Sequence, residues 1–135
     1  MTRNIVLPEA NRRTYNTFHF APAVWSDTGL LLCSGVIGTG ADGKIPDNPA
    51  EEFTNAWTAI GSVLSDAGLS YEDILEFTSF HVGMHDHLQE FIAVKDQFVQ
   101  EPWPAWTAIG ITELAVPGAR VEVRVVARRT TAVQD

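Results

Sequence analysis

"NPAEEFTNAWTAIGSVLSDAGLSYEDILEFTSFHV", residues 48–82, changes its period once, and that change sets the fold class. Phe53, Ala56, Trp57, Ile60, Val63, Leu64 and Ala67 recur every three or four residues, the spacing that gathers apolar side chains on one helix face. Asn48 is a candidate N-cap, Pro49 suits the first helical position and Glu51 lies three residues beyond the cap. Gly68 suits the left-handed residue that follows a helix. From about Ile74 to Val82 the pattern alternates and is rich in β-branched and aromatic residues, which predicts a long strand.

Upstream, Ile5–Leu7, Thr17–Trp25 and Leu30–Ile37 read as strands, the last two joined by the turn "SDTG" into a hairpin. Downstream, Leu88, Phe91, Ile92, Phe98 and Val99 mark a second helix, which "EPWP" stops because proline cannot continue it. Two strands follow, "AWTAIGITEL" and "RVEVRVVA", joined by the turn "AVPGA", and a frayed tail is expected after Arg129. The order βββαβαββ, without repeats or linkers, predicts one α+β domain over residues 1–135, a mixed sheet with two helices on one face. In the last strand Val121, Val123 and Val125 share one face, while Arg120, Glu122, Arg124 and Val126 share the other. Two helices cover only one side of such a sheet, so self-association is expected to bury part of the second.

Composition narrows the partners. The chain has 135 residues, of which 45% are hydrophobic and 19% charged, as in an ordinary globular protein. Its net charge of −8, from 17 acidic against 9 basic residues, disfavours nucleic acid and anionic membrane. The lone cysteine, Cys33, excludes an internal disulfide and reads as a small buried hydrophobe. No apolar stretch reaches signal or transmembrane length, so a cytoplasmic location is expected.

Chemistry-bearing motifs are few. "GTGADG", residues 38–43, has the letters of a dinucleotide-binding loop, but "KIPDNP" follows where a helix would have to open, so it reads as a turn-rich loop. His81, His85 and His87 lack a cysteine or carboxylate partner at ligand spacing, so no metal or cofactor is expected. On this reading His81 is a partly buried strand residue beside a cleft, and His85 and His87 are solvated in the loop before the second helix. No serine sits in a nucleophile elbow. Glu122 remains: a carboxylate among valines and arginines, either ion-paired with Arg120 or Arg124 or acting as an acid or base.

The stretches "LLLCSGVIGTGADGKIP", "AWTAIGSVLSDAGLSYEDILEFTSFHV" and "PAWTAIGITELAVPGARVEVRVVARR" resemble the RidA family, also called YjgF/YER057c/UK114, over nearly the whole chain. The resemblance implies a chorismate-mutase-like fold and a homotrimer that binds small molecules in clefts between subunits. It implies hydrolysis of reactive enamines and imines to carbonyl compounds and ammonia, with a non-catalytic binding protein as the alternative. RNA cleavage, attributed to some relatives, finds little support in an acidic chain without a basic stripe. Carried over by position, the catalytic glutamate falls on Glu122, the cleft serine and glycine on Ser34 and Gly35, and a cleft aromatic on Phe20. The arginine that grips a substrate carboxylate falls on Trp106, a cysteine two places on falls on Ala108, and Lys95 is the residue nearest a helix asparagine. A guanidinium could instead come from Arg120 or Arg124, and His81 would help shape the pocket.

Overall fold

The computed structural model describes residues 2–129. It contains strands β1 (Asn4–Val6), β2 (Ala23–Trp25), β3 (Leu30–Cys33), β4 (Val36–Ile37), β5 (Ile74–His81), β6 (Ala105–Gly110) and β7 (Val121–Arg128). The helices are α1 (Arg12–Phe18), α2 (Pro49–Asp66) and α3 (Met84–Lys95). The expected tail after Arg129 lies outside the described residues.

Helix α2 forms as its sequence directs. Asn48 accepts a hydrogen bond from the Ala50 N–H at 2.9 Å, and Pro49 opens the helix. At the other end Leu69 N–H bonds the Leu64 carbonyl and Gly68 N–H bonds that of Ser65, with Gly68 at φ +80°. This left-handed closure favours a residue without Cβ. Phe53, Trp57 and Leu64 are fully buried, each contributing roughly 1.5–3 kcal/mol by leaving water.

The sheet runs β1-β2-β3-β7-β5-β6, with β4 also paired to β7. Neighbours are antiparallel except β5 and β6, which lie parallel with α3 as the crossover between them. Val121, Val123 and Val125 are buried in the core that α2 and α3 supply, whereas Leu32 and Ile109 are exposed. The sheet therefore has one helix-covered face and one open face, an α+β arrangement.

Five expectations change, the first being the strand read as "AWTAIGITEL", which ends at Gly110. Residues 17–25 do not form one strand: Thr17 and Phe18 end α1, and His19 closes that helix in the left-handed region at φ 64°. A third helix is thus present, although it buries none of its side chains in the core. Leu30–Ile37 is split into β3 and β4 at Ser34 and Gly35. His85 and His87 belong to α3, and His87 is buried instead of solvated, because the inner stripe of α3 runs through His87, Phe91, Val94 and Lys95. Helix α3 also ends at Lys95, before Phe98 and Val99 and well before the prolines.

Glu52 of α2 is fully buried and holds the start of β7. Its carboxylate accepts from Arg120 N–H at 2.7 Å and from the Arg120 guanidinium at 2.7 Å. That guanidinium also donates to the Pro46 and Asp47 carbonyls. Arg120→Ala would strand the buried carboxylate and should cost about 3 kcal/mol, read as a lowered midpoint of urea unfolding.

Candidate functional site

The break between β3 and β4 builds one group of candidate residues. Leu32 pairs with Val126 and Val36 with Val123, so Cys33, Ser34 and Gly35 stand opposite only Arg124 and Val125. The extra residue makes a bulge. Ser34 is pinned there by its N–H on the Pro22 carbonyl, 2.8 Å, and its Oγ donating to the Ala21 carbonyl, 2.7 Å. Gly35 lies directly against the side chain of Glu122: a Cβ at position 35 would land on Glu122 Oε2. Phe20 and Ser34 line a cavity of about 450 Å³ with Arg3, Tyr15 and His19, and a second of about 330 Å³ that also touches Gly35. Phe20, Ser34 and Gly35 are therefore brought together, and Glu122 reaches this group only through its contact with Gly35, lining neither cavity.

Glu122 makes no salt bridge among the described residues. Burial pushes its carboxyl above the ordinary value, as expected of a charge short of water and of a cation. Arg120 is not its partner, because that guanidinium turns to Glu52 on the helix side. Arg124, two residues along the same strand face, is exposed.

Trp106, Ala108 and His81 lie on the opposite side of the sheet. Phe77 pairs with Trp106 and Val125, placing the indole on the helix-covered face; Phe80 pairs with Ile109 and Glu122 on the open face. Ala108 beside Ser79, and His81 beside Val121, share the face of Trp106. Within one chain, the seven residues that the resemblance selects thus form two groups on opposite faces.

The Trp106 group is packed from several sides. Its ring stacks on Phe77 at 5.5 Å and 16°, and its Nε1–H donates to Ser79 Oγ at 2.8 Å. Lys95 Nζ lies 5.5 Å from this ring and 5.0 Å from that of Trp103, while paired with Asp96 at 2.7 Å. His81 bonds Ser79 Oγ at 2.7 Å through Nε2 and His87 Nε2 at 3.2 Å through Nδ1. Burial, then the neighbouring His87, lowers the His81 imidazole to about 4, and burial lowers His87 as well. Sequence reasoning missed Ser79 and His87, although period two from Phe77 and a step of four before Phe91 mark both as inward-facing. Among the described residues no three His, Cys, Asp or Glu side chains converge as a metal set, and no helix is long and apolar enough to cross a membrane. Cys33 is buried and its thiol is pushed up to about 11, with Arg124 opposing the shift, so it is a poor nucleophile.

The pattern of the family described as endoribonuclease L-PSP matches residues 12–129. The chain belongs to this family. The RutC family protein YjgH of Escherichia coli K12 is 32% identical over 127 residues, covering 93% of this chain and 95% of its own. A solved structure of YjgH superposes with a TM-score of 0.84 at 31% identity, covering 95% of this chain and 97% of that one. Rv2704 of Mycobacterium tuberculosis, a member of the YjgF/YER057c/UK114 family, reaches 0.79 at 21% identity over 95% of this chain and 100% of its own. Escherichia coli TdcF with bound serine reaches 0.73 at 20% identity over 82% of this chain and 88% of its own. The family is the one that the sequence resembles, and the mixed sheet with its helix layer is that family's fold.

Two measurements check this geometry. Gly35→Ala should displace the Glu122 carboxylate while leaving the fold intact, seen as a changed Glu122 titration by NMR with far-UV circular dichroism unchanged. For His81 the folded imidazole titrates near 4 and the unfolded one near 6.5, so only the unfolded chain takes up this proton as pH falls between them. Stability should then decline by about 3 kcal/mol across that window, with Glu122, shifted upward, opposing the decline at its acidic end. Urea midpoints measured against pH should slope more steeply in the wild type than in His81→Leu.

Proposed function

We propose that this protein binds a small metabolite in a cleft between copies of itself and hydrolyses enamines or imines there, releasing a carbonyl compound and ammonia. The observation that carries the reading is Glu122: a desolvated carboxylate without a salt-bridge partner among the described residues, seated on Gly35, which itself lines a cavity with Phe20 and Ser34. A carboxyl raised in this way suits a group that takes a proton from water and returns it to a leaving amine. Because Trp106 and Ala108 lie on the other face of the sheet, a second copy would have to present them to Glu122. The exposed Leu32 and Ile109 on the open face support such an assembly, which we take to be a homotrimer. The serine in the TdcF structure supports a ligand of amino-acid size.

Trp106 shapes the substrate class. The family resemblance places a carboxylate-gripping arginine there, and indole offers one donor, already bonded to Ser79. Loss of a bidentate guanidinium costs roughly 10- to 1000-fold in binding a small carboxylate, so a less anionic substrate than 2-aminoacrylate is favoured. The same observation favours a second reading, ligand binding without catalysis. RNA cleavage, carried in the family's description, is disfavoured by the net charge of −8.

Ammonia release from freshly generated 2-aminoacrylate tests the hydrolytic reading. We expect weak acceleration by the wild type, a gain of at least tenfold in Trp106→Arg, and loss of at least a hundredfold in Glu122→Gln. Absence of acceleration in both wild type and Trp106→Arg overturns hydrolysis; a ligand that Glu122→Gln retains with unchanged affinity then identifies a binding protein.

A further inference from the structure

Four polar side chains form an unbroken line through the apolar layer between sheet and helices. Trp106 Nε1–H donates to Ser79 Oγ at 2.8 Å, Ser79 Oγ lies 2.7 Å from His81 Nε2, and His81 Nδ1 lies 3.2 Å from His87 Nε2. Ser79 and His81 are completely inaccessible to water. Phe91 packs edge-on against His81 at 4.9 Å, and Phe53 tilts against His87 at 5.2 Å, so apolar walls enclose the line.

The direction of the line follows from its inventory of protons. Indole nitrogen only donates, so Ser79 Oγ accepts from Trp106. If His81 also donated to Ser79, the hydroxyl proton would be left without an acceptor in a fully buried residue, at a cost of about 1–3 kcal/mol. Ser79 must therefore donate to His81 Nε2. The proton of neutral His81 then sits on Nδ1 and points at His87 Nε2, and the proton of neutral His87 sits on its own Nδ1. In this direction every polar atom from Trp106 Nε1 to His87 Nε2 has its partner, whereas the reverse direction leaves the Ser79 hydroxyl proton without one.

We propose that Ser79, His81 and His87 are positioning residues for Trp106: they hold its one donor turned into the protein and fix the plane of its ring. A molecule arriving at the edge of β6 then meets indole carbon with no N–H to accept from, with the Lys95 ammonium alongside. The hold on Trp106 stands whatever the protein binds. Its consequence for recognition rests on the reading that this edge is one wall of the cleft.

Nitrogen-15 NMR of the full-length protein without ligand tests the hold directly. At neutral pH, imidazole correlations should show the proton on Nδ1 and a bare Nε2 in both His81 and His87. Packing alone would not impose this pattern, which reverses the tautomer that free imidazole side chains favour. In His87→Phe, which removes the far end of the line without touching Trp106 or Ser79, the Trp106 indole proton should exchange about tenfold faster than in Val94→Ala, the factor of roughly one net hydrogen bond. Val94 is a buried core neighbour on the same helix and controls for general loosening. A proton on Nε2 of His81, or equal exchange in the two variants, overturns the proposal. If His87→Phe does not fold, the tautomers of the wild type decide alone. These measurements contain no substrate, so their failure is separate from failure of the hydrolytic reading.

Discussion

A carboxylate deprived of water must find its hydrogen bonds inside the protein, and Glu52 finds them on a single residue. Arg120 supplies both its backbone N–H and its guanidinium, and the spare donors of that guanidinium catch two carbonyls of the loop before α2. Helix, loop and the start of β7 are thereby fixed together. Because side chains alternate along a strand, fixing residue 120 decides that Val121 enters the core and Glu122 meets the open face. A slip of one residue would exchange the two, burying a carboxylate under α2 and exposing a row of valines. The buried ion pair thus sets the register on which the candidate site depends, whatever its net contribution to stability.

Much of this architecture was legible in the sequence because long elements with a clear period announce themselves. Helix α2 and strand β5 emerge from the spacing of Phe53, Trp57, Ile60 and Leu64 and from the alternation after Ile74. Residues 12–22 were not legible for the opposite reason. Helix α1 buries no side chain fully, so it imposes no apolar period, and its end at His19 depends on a left-handed residue that is not glycine. The break at Ser34 and Gly35 was hidden inside an apolar run that reads as one strand, because a bulge changes register without changing composition.

The candidate site was legible in its residues more than in its grouping. A sequence assigns Glu122 and Trp106 to strands, but which face each strand presents depends on pairing register, and register placed them on opposite sides. The Ser79, His81 and His87 line was obscured at His87, whose polar side chain reads as solvated in a loop, although His81 reads as partly buried. Here the inward stripe of α3 runs straight through a histidine, and hydrogen bonding between side chains makes that burial tolerable. Arg120 shows the converse, since a residue counted on the Glu122 face spends its charge on the helix side of the sheet.

The seat of Glu122 on Gly35 has a consequence for how this surface can be altered. Oxygen occupies the volume that a side chain would take, so positions 35 and 122 are coupled by exclusion. Shortening the acid would leave a gap at the bulge, and enlarging the glycine would evict the acid. A single change at position 35 therefore moves the acid, and a single change at position 122 opens space above the glycine, so each position alters this wall through the other.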